Sequence, residues 1–334
     1  MEKFCLKDIY SRLGDDESRF LFEKRLCYSL TGDRHRMVHA INEKIIKKPL
    51  EIKKYFYIFG AGAWGHDVVR DIPEIPWHAF IDNDKSKAGK PDILPIISFR
   101  EFIANSENSL VFICNPLYGG EMKRQLINNG FPEDSIIFVD FSAQYFDLPY
   151  FKPQENEFFI DAGGYDGVTT KSFFQWLRNN RRKDGGSVIF EPNPILYDVC
   201  KHNLKNCDNV KIENKGLWHK SEHLNFMKNQ TASRITTDGE ETIETISLDE
   251  YLKNEKNPVT FIKMDIEGAE LNALKGAERT IREQKPKLAI SIYHKPEDIW
   301  EIPSLLLDFV PDYKFYIRHY TLHGNETVLY AQPS

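Results

Sequence analysis

Phe158–Thr170 reads FFIDAGGYDGVTT, and its reading decides the fold. Three consecutive apolar residues, Phe158, Phe159 and Ile160, predict a strand buried on both faces, as strands of a parallel sheet are. The strand ends on Asp161 and runs straight into Gly163, Gly164 and Gly167. A helical pattern starts at Val168 and carries Phe173, Phe174 and Leu177. Strand, glycine turn and helix N-terminus together make a ligand loop, because glycine lets backbone amides approach a bound molecule closely.

The order of residues within the loop narrows the ligand. A dinucleotide fingerprint carries its acid about 20 residues after G-x-G-x-x-G. Here the acid comes first, as D-x-G-x-x-x-G, which resembles the loop of S-adenosylmethionine-dependent methyltransferases. A second acid, Glu191 in SVIFEPNP, ends the next apolar strand, where it would hold ribose hydroxyls with Asn193 beside it. FIKMDIEGAE (Phe261–Glu270) and LAISIYH (Leu288–His294) follow at the spacing of fourth and fifth strands. Together with NKGLW, SIYHKPEDIWEIP and the closing RHY and TVLYA, these stretches resemble the FkbM family of S-adenosylmethionine-dependent methyltransferases, over residues 157–331. The resemblance implies S-adenosyl-L-methionine as cofactor and methylation of a hydroxyl, often on a sugar, a surface polysaccharide or a natural product.

Composition sets the frame. A chain of 334 residues exceeds the size at which single cores stop growing, so two domains are expected. A net charge of −6 argues against a nucleic-acid partner, which calls for a basic surface. No apolar run reaches membrane-spanning length, and the opening MEKFCLKDIYSRL lacks an apolar signal core, so a cytoplasmic protein is expected. The five cysteines form no C-x-x-C pair, which suggests neither a zinc site nor a disulfide framework.

Taken in order, residues 1–50 read as a helical segment, a cap or an element that makes a homo-oligomer. Its Lys47 and Lys48, with Lys53 and Lys54, read as a solvated face or a docking surface for an anionic substrate. His35 and His39 stand one helical turn apart without an evident third ligand. Residues 51–146 form a Rossmann-like unit, in which YFYIFGAGAWG holds Gly60-x-Gly62-x-x-Gly65 and the second strand ends on Asp82. Alternating strands and helices imply a small parallel sheet with right-handed crossovers. The glycine pattern matches a dinucleotide fingerprint but serves equally as a tight turn. The unit also resembles the small domain that binds a nucleotide-sugar in certain sugar acetyltransferases, and its ligand stays open. Residues 141–152, with Pro149, read as a linker.

Residues 147–334 are expected to form the doubly wound α/β sheet of a class I methyltransferase. Its seven strands are placed at 157–161, 187–191, 210–213, 259–265, 288–293, 314–318 and 327–330. The last is expected antiparallel, joined by a turn at His323–Asn325. Residues 221–246 read as an irregular polar excursion, with NQTASRITTDGEE over the site.

Ligands of such sheets bind outside the carboxyl ends of the strands. That rule collects Asp161, Gly163, Gly164, Gly167, Glu191, Asn193, Gly216, Trp218 and Asp265 for the cofactor. His294, Asp265 and His319 remain for catalysis, all expected along one edge. An alcohol needs a base or a metal beside it before it attacks. His294 is the expected base, without a metal; Asp265 orients it, touches the cofactor, or joins it on a divalent cation. Lys263 shares a strand face with Asp265 and is expected to pair with it. Two readings from other classes stand beside this one. A degenerate methyltransferase fold that only binds ligand is the first. An NAD-dependent sugar oxidoreductase run by the first unit is the second, and it lacks a Tyr-x-x-x-Lys pair.

Overall fold

The computed structural model describes residues 5–51, 55–115, 117–140, 144–182, 185–227, 234–235 and 241–333. They fall into two compact units. The larger takes Met1–Leu26, Ala143–Arg318 and Thr327–Ser334, the smaller Cys27–Ser142 and His319–Glu326. Helices α1 (Leu6–Arg12), α2 (Asp16–Thr31) and α3 (Arg34–Leu50) open the chain. The segment read as a single helical cap is therefore divided, α2 passing from one unit into the other. Of the lysine group, Lys53 and Lys54 and the side chain of Lys48 lie outside the described residues.

The smaller unit holds β1 (Tyr55–Phe59), α4 (Ala63–Asp71), β2 (Trp77–Asp82), β3 (Ile96–Ser98), α5 (Phe99–Ala104), β4 (Ser109–Ile113), α6 (Gly119–Asn128) and β5 (Ile136–Phe138). Its strands form one parallel sheet in the order β3-β2-β1-β4-β5. β1 explains itself: Phe56 and Ile58 enter one apolar cluster, Tyr57 and Phe59 another, so both faces are covered. β3 was not foreseen, since three residues are too few to show a period.

The larger unit continues with β6 (Glu157–Ala162), α7 (Val168–Asn179), β7 (Gly185–Phe190), α8 (Pro194–Leu204), β8 (Val210–Glu213), β9 (Gly216–Leu217), β10 (Glu222–Met227), β11 (Arg234–Ile235) and β12 (Glu241–Ile246). It closes with α9 (Leu248–Tyr251), β13 (Phe261–Met264), α10 (Glu270–Lys275), α11 (Glu278–Gln284), β14 (Lys287–Ser291), α12 (Asp298–Phe309), β15 (Tyr313–His319) and β16 (Thr327–Pro333). Its main sheet has seven strands in the order β15-β16-β14-β13-β6-β7-β8. β8, β7, β6, β13 and β14 pair in parallel, and β16 runs antiparallel to β14, as the sequence pattern predicts. The order turns around at β6, which makes the carboxyl ends of β6, β7 and β13 the natural ligand crevice.

Two expectations need correction. Residues 221–246 are not irregular: β10 and β12 pair antiparallel in a second sheet of order β11-β10-β12-β9. Leu224 faces Ile243 in that register, within the alternation of a half-buried strand. Most of NQTASRITTDGEE lies outside the described residues. Residues 141–152 are not a bare linker either: Tyr145, Phe146, Leu148 and Phe151 are all buried, while 141–143 lie outside the described residues. The Phe146 ring meets Phe159, Phe173, Trp176 and Phe261 at centroid distances of 5.6–6.3 Å. The turn near His323 does join the neighbouring strands β15 and β16, and its residues group with the smaller unit, where the Gly324 amide donates to Asp71 and the Asn42 amide group to the Leu322 carbonyl. The start of the chain covers an edge: the Gly14 amide donates to Phe315 on β15, and Ile317 donates to the Ser18 hydroxyl. Covering an edge strand removes a template for unwanted pairing.

Among the described residues no helix is long and apolar enough to cross a membrane. The packing of the 144–151 segment gives a stability prediction. Phe146→Ala should cost about 3–5 kcal/mol, the usual range for emptying a buried phenylalanine site. Urea unfolding reads this; a change within about 0.5 kcal/mol, as at a surface position, would return the segment to the role of a linker.

Candidate active site at the carboxyl edge of the larger sheet

The glycine loop after β6 is held from inside. Asp161 has no exposure, and its carboxylate accepts from Lys263 Nζ at 3.1 Å and from the Thr170 hydroxyl at 2.9 Å. Lys263 Nζ also donates to the carbonyls of Ala162 and Gly163, at 3.1 and 2.7 Å. Asp161 and Lys263 are register partners across β6 and β13, so the lysine pairs here, where same-face alternation had pointed to Asp265. Burial disfavours the charge on Lys263, but Asp161 and Asp265 outweigh it and hold its pKa above the ordinary lysine value.

The loop's glycines answer to the protein's own atoms. Gly163 has φ +82°, and a Cβ there would stand 1.9 Å from the Asp265 carbonyl oxygen. A Cβ at Gly164 would meet Ile189 Cγ2 at 2.2 Å, and one at Gly167 would meet Leu204 Cδ1 at 2.8 Å. The loop can therefore lie against β7, α8 and the end of β13 only without side chains at these positions.

Glu191 closes β7 at 5% exposure. One of its carboxylate oxygens accepts from the Tyr165 amide and the other from the Asn193 amide, each at 2.9 Å. Burial pushes its carboxyl up to about 7, against the pull of those amides. Asn193 caps α8 by accepting from the Ile195 amide at 3.0 Å. Gly216 sits in β9, its α-position facing Ile243, Thr245 and Pro192. Next to it, the enclosed Trp218 Nε1 has no hydrogen-bond partner. An adenosyl ligand fits this donor set. Each Glu191 oxygen keeps a lone pair beyond its amide for ribose hydroxyls, Trp218 offers an unspent donor, and the loop brings backbone close.

A second cluster stands at the ends of β13 and β14. Asp265 Oδ2 accepts from the Tyr145 hydroxyl at 2.9 Å, and Oδ1 from the Tyr293 hydroxyl at 3.1 Å. His294 Nδ1 lies 3.0 Å from Glu270 Oε1, and its Nε2 lies 3.5 Å from Asp265 and 3.5 Å from Glu267. The Ile266 amide donates to the same Glu270 oxygen at 2.8 Å. Burial opposes ionisation of Asp265, but His294 and Lys263 outweigh it and keep its carboxyl below the usual range. Burial also opposes charge on His294, yet Glu270, Asp265 and Glu267 together push its pKa up to about 10. In that state the ring is a proton donor, and the base role expected of it requires the proton to leave first.

His319, expected on the same edge, is the last residue of β15 and groups with the smaller unit. Sequence reasoning missed Tyr145, which sits in the supposed linker, and did not name Glu270 among the site residues. In the smaller unit, Asp82 accepts from the Ala61 and Asp84 amides and from Lys87 Nζ, at 2.8–3.0 Å. The acid of its dinucleotide-like pattern is engaged by its own loop. The third group beside His35 and His39 is Glu74, whose two oxygens lie 2.8 and 3.5 Å from their Nε2 atoms on an exposed surface.

Two predictions follow from the buried charges. Lys263→Met leaves Asp161 unpaired and should cost about 3–5 kcal/mol; Lys263→Met with Asp161→Asn should recover part of that loss in denaturant titrations. No recovery would show that the pair is not the source. The native protein holds the Glu191 proton more tightly than the unfolded chain does. Its contribution is fully present below the ordinary value of 4.5 and is lost as pH rises through about 7. Melting temperatures of wild type and Glu191→Gln should therefore diverge between these limits, the variant losing less as pH rises. Parallel curves would contradict this burial.

Residues 161–317 match the model of the methyltransferase FkbM domain. A stretch of 123 residues is 31% identical to the hexuronic acid methyltransferase AglP of Haloferax volcanii, covering 35% of this chain and 51% of that protein. The chain thus spans about half the length of this relative. The crystal structure of methyltransferase FkbM from Methylobacillus flagellatus superimposes with a TM-score of 0.51 at 18% identity, over 91% of this chain and 100% of that one, a likeness of fold. Residues 161–317, just under half of the chain, thus match the methyltransferase FkbM domain.

Proposed function

We propose that the larger unit is an S-adenosylmethionine-dependent O-methyltransferase that modifies a hydroxyl of a sugar, a nucleotide-sugar or a glycan. The observation that carries this reading is the cradle at the ends of β6 and β7, where Glu191 joins the glycine loop to the start of α8. The family match supports methyl transfer, and the name of the Haloferax volcanii relative supports a sugar acceptor.

The cofactor, when bound, supplies a methyl group already activated on a positively charged sulfur. The protein must then bring the hydroxyl to it and keep water away. Glu191 accepts from ribose hydroxyls, and the backbone of 163–167 lies against the ligand. Tyr145 and Tyr293 fix the Asp265 carboxylate, which stays ionised and 20% exposed and accepts a hydrogen bond from the acceptor hydroxyl. His294 and Glu270 close the site behind it.

Calorimetric titration with S-adenosylmethionine should show saturable binding, and labelled methyl should pass to uronic acids or other sugars, with mass spectrometry locating it. Glu191→Gln should weaken cofactor binding by about tenfold to a hundredfold, the worth of one or two hydrogen bonds to a charged group. Asp265→Asn should preserve cofactor binding and lower turnover by on the order of 10²–10⁴. Binding without transfer to any sugar would favour a ligand-binding relative of the enzymes; absence of saturable binding would remove the assignment.

A further inference from the structure

We propose that Asp265, Glu270 and His294 form a site for one divalent cation of the magnesium and manganese class. One oxygen from each carboxylate and one ring nitrogen lie within 4.8 Å of one another. Ligands about 2.1 Å from a single ion reach such an arrangement with a small contraction.

Unspent donors point to the ligand independently. The His294 side chain is 9% exposed; its Nδ1 stands 3.0 Å from Glu270 Oε1, while its enclosed Nε2 has no hydrogen-bond partner. Glu270 is 1% exposed at its side chain, and its Oε2 is likewise enclosed without one. Buried polar atoms are ordinarily satisfied, and each exception calls for a cause. An ion reached by Glu270 Oε2 and His294 Nε2 satisfies both at once.

The surroundings are those of a held ligand set. Tyr145 and Tyr293 donate to the two Asp265 oxygens, and the Ile266 amide donates to Glu270 Oε1. Such outer donors orient the groups that touch a metal. Glu267 has φ +55° and is followed by Gly268 at φ +89°. This left-handed turn brings Glu267 to 3.5 Å from His294 Nε2. A non-glycine residue in that conformation stores strain, as turns at ligand sites do. Two or three carboxylate oxygens with one imidazole suit manganese or magnesium, whereas zinc draws more nitrogen and sulfur. The cation would leave positions open for water or for a hydroxyl oxygen, presenting a positive centre there. That role rests on the methyltransferase reading; the site itself does not.

The test uses the full chain, stripped with chelator and titrated with Mn²⁺ alone, the free ion being read by electron paramagnetic resonance. One saturable site is expected, and Mg²⁺ should displace the manganese. His294→Ala and Glu270→Gln should each weaken Mn²⁺ at least tenfold, whereas His219→Ala, outside the cluster, should not. Absence of saturable Mn²⁺ binding in the wild type would overturn the proposal, as would equal binding in folded His294→Ala and Glu270→Gln. S-adenosylmethionine binding, measured separately in chelator, reports on the methyltransferase reading, so the two can fail independently.

Discussion

Lys263 stands in the middle of the larger sheet with almost no exposure, and its charge is held by Asp161 on the neighbouring strand. A buried ion pair gains little over apolar packing, yet losing one partner strands a charge. Here the lysine also donates to the carbonyls of Ala162 and Gly163, so its ammonium serves the loop as much as the pair. Thr170 extends the network to the first turns of α7 through the second Asp161 oxygen. One charge thus locks β6, β13, the glycine loop and α7 into a single arrangement.

The site inherits its geometry from that lock. Gly163 is pressed against the backbone of Asp265, which fixes where β13 ends and where the Asp265 carboxylate begins. Behind it lie His294, Glu267 and Glu270, an excess of carboxylates over cations at one strand edge. Asp298, close to Glu270, is pushed up to about 7 by burial and by that neighbour. The cluster is electrostatically poised: it retains a proton on His294 or takes up a positive ion.

Much of this was legible in the sequence. Seven strands, their order of appearance and the antiparallel last strand followed from apolar runs and turn residues, since buried strands announce themselves by composition. Gly163, Gly164, Gly167, Glu191 and Asp265 came to one edge because strand ends in such sheets do. What stayed hidden depends on register and long-range packing. Alternation along β13 placed Lys263 beside Asp265, but only the pairing with β6 sets it opposite Asp161. Tyr145 lies more than a hundred residues from Asp265, in a stretch whose prolines suggested a linker. The β10–β12 pairing was masked by polar residues on its solvated side, and His319, the last residue of β15, groups with the other unit because the chain after β15 continues there.

A crystal structure of the protein grown with S-adenosylhomocysteine and Mn²⁺ tests the central claim most directly, because it asks where the ligand sits. The account predicts the ribose against Glu191, the glycine loop along the ligand, and the ion between Asp265, Glu270 and His294. Nucleoside density at the Gly60–Gly65 loop of the smaller unit, with Glu191 and Trp218 bare, would contradict it.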